Sequence, residues 1–385
     1  MRSRRIAYLS PAGILYGAEI SLLETIRAID KNQYDPLVLM LDPGPLEEVL
    51  KRSGVQVIPV YWLKGKTFRR PLSACVSAIR LGKLLCATGA KILQLNYFDD
   101  SIDLGIFYLA TRLSGAKFII RHRSESRWLS LYHKFWLSRA DLIIPVSRGS
   151  IKNWLIKRRS DLWSRIIPER VKVIPSGRDV EKVASIVSGR EIVRALGVPD
   201  DAWIVGMVGA ITPIKRHDLF LQAAKIVHQK DKRVWFVLVG GPYQLEDSSA
   251  TEYERRLRRF AGEADLSDRV IFTGYRSDVP RLIKQFDVLV LPSSSEGLGG
   301  VLIEAMALGI QTVCSNAGGM PEVVADGITG FVIPEADPAR YAEAILKILT
   351  DPVCAGRMRE AAKERASQFD SHRIVHLLEE CYEQL

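Results

Sequence analysis

The sequence predicts an α/β protein made of two consecutive doubly wound parallel sheets. Short apolar runs alternate with helix-length amphipathic segments throughout, the pattern of βαβ units. At 385 residues the chain is too long for one ordinary core and suggests about two domains. The apolar runs also fall into two groups, with a joint near "PSGRDVEKV" (175–183).

In the first group the expected strands are 4–10, 35–41, 55–60, 91–96, 117–122, 142–147 and 171–176. Each is a β-branched or aliphatic run of strand length, such as "RRIAYLS" and "KFIIRH". In the second group they are 203–209, 234–241, 269–274, 286–293, 311–315 and 330–334. From Ala361 to Leu385 the pattern is one helical stretch with no strand after it.

Composition is that of a soluble globular protein, 47 % hydrophobic and 25 % charged. The five cysteines are scattered without a CxxC pair, which fits reduced thiols better than a disulfide framework or a zinc site. No apolar run reaches the ~18 residues that span a bilayer. The start, "MRSRRIAYLSPAGILYGAE", reads as a first strand and loop, not a signal peptide, because Pro11 and Glu19 interrupt its apolar part. Charge is unevenly shared: residues 1–180 hold 30 Lys+Arg against 15 Asp+Glu (+15), leaving 24 against 29 (−5) for 181–385. Such asymmetry marks the first half as the one facing an anionic partner.

The stretch "SSSEGLGGVLIEAMALG" (293–309) raises a chemical question. From Val301 to Leu308 only Glu304 is polar, and a buried carboxylate is costly unless it is hydrogen-bonded. The order strand, glycine loop, helix is that of an anion site, with the amides of Gly299, Gly300 and Val301 aimed at a phosphate. Glu304 then lies roughly 6 Å further along the helix axis, a suitable distance from a diphosphate to a ribose. Glu296, on the loop, would face a sugar on the other side. The alternative is that Glu304 caps a backbone group or pairs with a core arginine while Glu296 is a solvated loop residue.

"EGLGGVLIEAMALG" resembles the E-x7-E signature of retaining nucleotide-sugar glycosyltransferases with the GT-B fold, family 4, the "glycosyl transferases group 1" type. The likeness continues in "GGMPEVVADGITGFVIP" (318–334), "VGAITPIKRHDLFLQAA" (208–224) and "FTGYRSDVPRLIKQFDVLVLPSSSEG" (272–297), and more loosely in "YGAEISLLETIRAI" (16–29). It implies two Rossmann-like domains facing a central cleft: 1–178 binding the acceptor, 179–365 binding the donor, and a tail helix, 366–385, returning to the first. It implies Lys215 on the donor diphosphate, with Glu296 and His122 at the donor sugar and Glu304 at the ribose. Tyr275 and Arg276, in "GYRSD", would meet the base, and Gly17 the phosphates and acceptor. Two positions depart from the pattern. Ala210 stands where an arginine is usual, so that Arg216 or another group would have to replace its charge, and Tyr16 stands in place of a glycine. For His122 the other reading is a hydrogen-bonded histidine at a strand end.

The resemblance implies a front-face transfer in which the departing phosphate takes the acceptor proton. No D-x-D occurs, so no metal is expected, and no cofactor beyond the nucleotide-sugar substrate. "VGMVGA" lacks the dinucleotide-binding spacing, no P-loop motif is present, and His372 and His376 lack the Glu of a metalloprotease helix. The expected donor is a UDP-sugar, and the acceptor a growing glycan or a lipid-linked one. "WLKGKTFRR" (62–70) and "IKNWLIKRRSDLWSR" (151–165) are basic and aromatic, and suit either an anionic membrane surface or an acidic acceptor. Nucleic acid is not an expected partner, since no recognised motif accompanies the charge. The protein is expected in the cytoplasm, on the inner face of the membrane if that surface is used. A nucleotide-sugar 2-epimerase and a non-catalytic nucleotide-sugar binder remain as alternatives. Glu304→Ala is expected to lose nucleotide affinity without unfolding.

Overall fold

The structure, a computed structural model, describes residues 3–63, 71–97, 102–123, 131–151, 168–241 and 248–385. The chain divides into two compact units, Met1–Gly177 with Ser371–Leu385, and Arg178–Asp370.

In the first unit six strands form one parallel sheet: β1 (Arg4–Ser10), β2 (Tyr34–Met40), β3 (Gln56–Pro59), β4 (Ile92–Leu95), β5 (Lys117–His122) and β6 (Leu142–Pro145). Their spatial order is β3-β2-β1-β4-β5-β6. Successive side chains of a strand point to opposite faces. Accordingly Ile6 and Tyr8 enter one core, and Ala7 and Leu9 enter the core on the other face. Both faces are therefore covered by helices, which is why these strands read as continuous apolar runs.

The expected strand 171–176 does not form. Val171 makes a single bridge to Ile143, and Lys172 and Ile174 donate to the carbonyls of Ile143 and Pro145, both at 3.0 Å. The reciprocal bond would need an N–H at position 145, and proline has none, so the ladder stops.

The second unit repeats the plan with β7 (Trp203–Val208), β8 (Val234–Val239), β9 (Val270–Phe272), β10 (Val288–Leu291), β11 (Gln311–Ser315) and β12 (Gly330–Ile333). Their order is β12-β11-β10-β7-β8-β9, again all parallel. In each sheet the direction of winding reverses once, between β1 and β4 and between β7 and β10. Ligands of such sheets bind in the crevice outside the carboxyl ends of the strands at this switch point.

The C-terminal stretch is two helices, not one. Pro352–Ser367 belongs to the second unit, which runs on to Asp370. Ser371–Glu383 packs on the first sheet through Ile374, Val375, Leu378 and Tyr382, in the core with Ile6 and Leu22. Tyr382 there donates to Gln94 Oε1 at 2.7 Å. Among the described residues no helix is long and apolar enough to cross a membrane.

Candidate functional site

The switch point of the second unit lies between the loops that follow β7 and β10, and those loops carry most of the expected residues. After β10 the chain turns through Ser293–Gly299 into the helix Gly300–Ala307. The backbone of Glu296 is pinned from the neighbouring loop: Gly319 N–H donates to its carbonyl at 3.1 Å. Gly318 has φ +54°, and a Cβ there would stand 1.7 Å from that same carbonyl oxygen, so the approach requires glycine. The Glu296 carboxylate is thereby presented to Lys215, whose Nζ donates to Oε2. Lys215 ends the short turn Pro213–Lys215 after β7, which Ser294 N–H ties to the glutamate loop by donating to the Ile214 carbonyl at 2.8 Å. With side chains 25 % and 19 % exposed, Lys215 and Glu296 remain open to a ligand.

Gly299 precedes the helix, and Gly300 and Val301 are its first residues. Leu302, Ile303, Ala305, Met306 and Ala307 are buried, so the helix is enclosed nearly all round. The carboxylate of Glu304 is compensated by Arg178, whose Nε donates to Oε1 at 2.7 Å. This pair is deeper than the first, with side chains 7 % and 13 % exposed. The alternative of a core arginine partner thus describes Glu304 as it stands in the structure, and Arg178 is a site residue that sequence reasoning passed over. Its only signal was an arginine following Gly177 at the joint between the two units.

The rim continues along the same sheet edge. Gly240, at the end of β8, donates to the Gly274 carbonyl at 3.0 Å, which places the turn holding Tyr275 and Arg276 beside the loops of β7 and β8. Tyr275 is 57 % exposed, whereas Arg276 is held by Asp278 through two bonds of 2.7 and 2.6 Å. Arg216 is likewise engaged: its Nε donates to both carboxylate oxygens of Asp218, at 3.1 and 3.2 Å, and Asp218 also accepts from Tyr253 Oη at 2.9 Å. The cation packed at the helix start is Arg178, not Arg216. Burial, assisted by the Lys215 charge, pushes the pKa of His217 down to about 4 and keeps it neutral behind the loop.

His122 and Gly17 belong to the first unit, at the carboxyl edge of its own sheet. His122 ends β5 fully buried. Gly17 opens the helix Gly17–Ala28, and a Cβ there would touch nothing. Two residues to which the sequence reading gave no site role stand close by. Arg123 donates to the Asn96 carbonyl and Oδ1, both at 2.8 Å, and to Ser21 and Ser176. Glu19 is buried and its pKa is pushed up to about 7 by desolvation, against the pull of backbone bonds at its own amide and Tyr16 and of the Arg123 charge. Of the basic aromatic segments, 64–70 and 152–165 lie outside the described residues.

Residues 189–368 match the model of the family described as glycosyl transferases group 1. The chain is 28 % identical over 226 residues to a D-inositol 3-phosphate glycosyltransferase of Salinispora arenicola (56 % of this chain, 50 % of the relative). It is 32 % identical over 223 residues to the protein of the same name from Stackebrandtia nassauensis (56 % and 49 %). The chain spans about half the length of the curated relatives it matches. In structure it resembles Anabaena HepE in complex with UDP-glucose, with a TM-score of 0.81 at 21 % identity over 99 % of this chain and 100 % of that one.

Proposed function

We propose, from the match of residues 189–368 to the glycosyl transferases group 1 family and from the GT-B fold of the chain, that the protein transfers a sugar, with retention, from a UDP-sugar to a glycan or lipid-linked acceptor. The observation carrying this reading is the switch point of the second sheet, where Lys215, Glu296, the start of the Gly300–Ala307 helix and Glu304 share one strand edge. Lys215 and the helix amides receive the diphosphate, Glu296 the sugar hydroxyls and Glu304 the ribose, with the base against the turn at Tyr275. That HepE is a UDP-glucose complex favours uridine as the base.

In the reaction the bond from the anomeric carbon to the diphosphate oxygen breaks and a bond to the acceptor oxygen forms on the same face. The acceptor proton passes to the departing phosphate. Cations and helix amides stabilise the charge that develops there, while the protein positions the two partners. We propose that no metal takes part, in which case turnover persists in EDTA.

The first unit takes the acceptor, with Gly17 and His122 at its sheet edge, and rests on an anionic membrane surface on the cytoplasmic side. Support comes from the helix Pro71–Thr88, which exposes Leu72, Val76 and Ile79 next to Arg80 and Lys83. Flotation with anionic vesicles tests this part, and no salt-sensitive binding would remove it. The donor assignment is tested by a thermal-shift screen of UDP- and GDP-sugars, followed by turnover with an acceptor panel that includes phosphorylated polyols. Stabilisation by UDP-sugars is the expected result, and indifference to every nucleotide would refute the reading.

A further inference from the structure

The helices on the two faces of the first sheet differ in charge. On one face Pro71–Thr88, Leu104–Ser114 and Leu131–Leu137 pack onto Ala7, Leu9 and Phe118 through Leu81, Leu85, Phe107 and Leu137. None of the three contains an Asp or Glu, and together they carry Arg80, Lys83, Arg112 and Lys134. The helices of the other face, Gly17–Ala28, Pro45–Arg52 and Ser371–Glu383, hold two, two and three glutamates.

The acid-free helices are also apolar on the outside. Leu72, Val76, Ile79, Lys83 and Cys86 are spaced by four and three residues in turn, so they form one stripe along Pro71–Thr88, opposite the buried Leu81 and Leu85. All five are exposed, Leu72 by 83 % and Val76 by 65 %. The stripe continues onto the next helix at Leu113, 61 % exposed. Gly82 approaches that helix so closely that a Cβ would stand 3.1 Å from Leu113 Cβ, and Ile79, Cys86 and Leu113 line one open groove. The guanidiniums of Arg80, Arg112 and Arg139 lie over the rings of Trp62, Tyr108 and Phe135, with centroids 4.3, 5.3 and 4.1 Å away. Asp141, just past the third helix, is engaged by Arg112 at 2.7 Å and by the Phe118 amide at 2.8 Å. Apolar side chains flanked by cations complement a layer of anionic headgroups over acyl chains, each Lys or Arg strengthening binding roughly fivefold. Arginines stacked on aromatic rings suit the boundary between the two.

We propose that this three-helix face is the surface by which the chain lies on an anionic bilayer, with the Leu72–Cys86 stripe and Leu113 dipping below the headgroups. This rests on the membrane part of the reading above and deepens it. Each of the three helices follows a strand of the parallel sheet, so its start lies towards the carboxyl edge where Gly17 and His122 stand. A bilayer along this face therefore brings a lipid-linked acceptor to that edge.

Flotation of the full chain with phosphatidylcholine vesicles, with and without phosphatidylglycerol, tests the surface. Wild type should float with the anionic vesicles alone, and less at high salt. Val76→Glu with Ile79→Glu, and separately Arg80→Gln with Lys83→Gln, should each weaken that binding by about tenfold or more. Leu377→Glu, at an exposed position of the opposite face, should leave it within about twofold. Should the glutamate pair not fold, the glutamine pair decides. The proposal fails if wild type ignores anionic vesicles or if Leu377→Glu weakens binding as much as the other variants. It fails too if wild type is a dimer that the glutamate pair dissociates, for the face then belongs to a second copy. Turnover of a UDP-sugar by a chain that binds no vesicle would remove this surface and keep the transferase reading. Vesicle binding by a chain indifferent to every nucleotide would keep the surface and remove that reading.

Discussion

Removing Glu304 should cost stability as well as ligand affinity, and the structure sets the size of the effect. Glu304→Ala leaves the Arg178 side chain, 7 % exposed, without its carboxylate and next to the positive end of a helix. Breaking a buried pair by deleting one partner costs about 3–5 kcal/mol, and the helix dipole adds about 0.3–1 kcal/mol. The gain in helix propensity from Glu to Ala returns only a few tenths. A net loss of about 3–5.5 kcal/mol follows, which a domain above the lower end of ordinary stability, about 5–15 kcal/mol, survives. Arg178→Met in the same background removes the stranded charge, so the double variant should regain most of the loss. The coupling energy in the cycle should then be about 2–4 kcal/mol.

A chain of two units need not unfold in one step, so global melting is the wrong probe. Native-state hydrogen exchange of the amides of Gly300–Ala307 reports the second unit directly. A coupling below about 0.5 kcal/mol, the scale of an exposed pair, would show that the Arg178–Glu304 pair is solvated and would refute the reasoning. The predicted Glu304→Ala variant is therefore folded, in keeping with the expectation that it does not unfold, but measurably weaker.

Lys215→Ala should behave in the opposite sense, costing under about 1 kcal/mol of stability because its pair is partly open, yet weakening UDP about tenfold by calorimetry. Equal binding by mutant and wild type would remove Lys215 from the donor site. Gly318→Ala must move the Glu296 backbone and should lower stability by about 2 kcal/mol or more together with activity. Gly356→Ala, in the Pro352–Ser367 helix where a Cβ meets nothing, should stabilise by up to about 1 kcal/mol; thermal unfolding compares the two. For Glu19 the folded pKa is raised from 4.5 to about 7, so burial costs nothing below the unfolded value and stability is lost as pH rises through the folded one. Glu19→Gln should therefore match wild type near pH 4 and exceed it above pH 7 by at most about 3 kcal/mol. Parallel stability profiles for the two proteins would contradict the assigned burial.

The parts of the fold that could be read in advance were those governed by short-range pattern. Parallel strands covered on both faces are apolar without interruption, and twelve of the expected runs are strands within a few residues of their expected ends. The thirteenth, 171–176, failed through a residue on a different strand, Pro145, whose missing N–H no inspection of 171–176 itself reveals. The tail broke at Gln368–Asp370 because that segment bonds to Arg178 and Val180, far away in sequence.

The same distinction separates the site residues from their partners. Glu296 and Glu304 stand out because a glycine loop and an apolar helix surround them, a local contrast. Their cations lie 81 and 126 positions away and carry no comparable mark. Yet the cations decide what the carboxylates can do. A bare pair of glutamates at a helix start would repel an anion, whereas here Lys215 pairs with Glu296 and Arg178 with Glu304. With both pairs intact, the local charge beside the helix amides is balanced, and an incoming diphosphate meets dipoles and cations without net repulsion. Loss of Lys215 does more than delete one attraction: it leaves the Glu296 carboxylate without its partner at the same strand edge. For that reason the loss of UDP affinity on removing Lys215 should be about tenfold, while uridine, which carries no charge, is much less sensitive to the change.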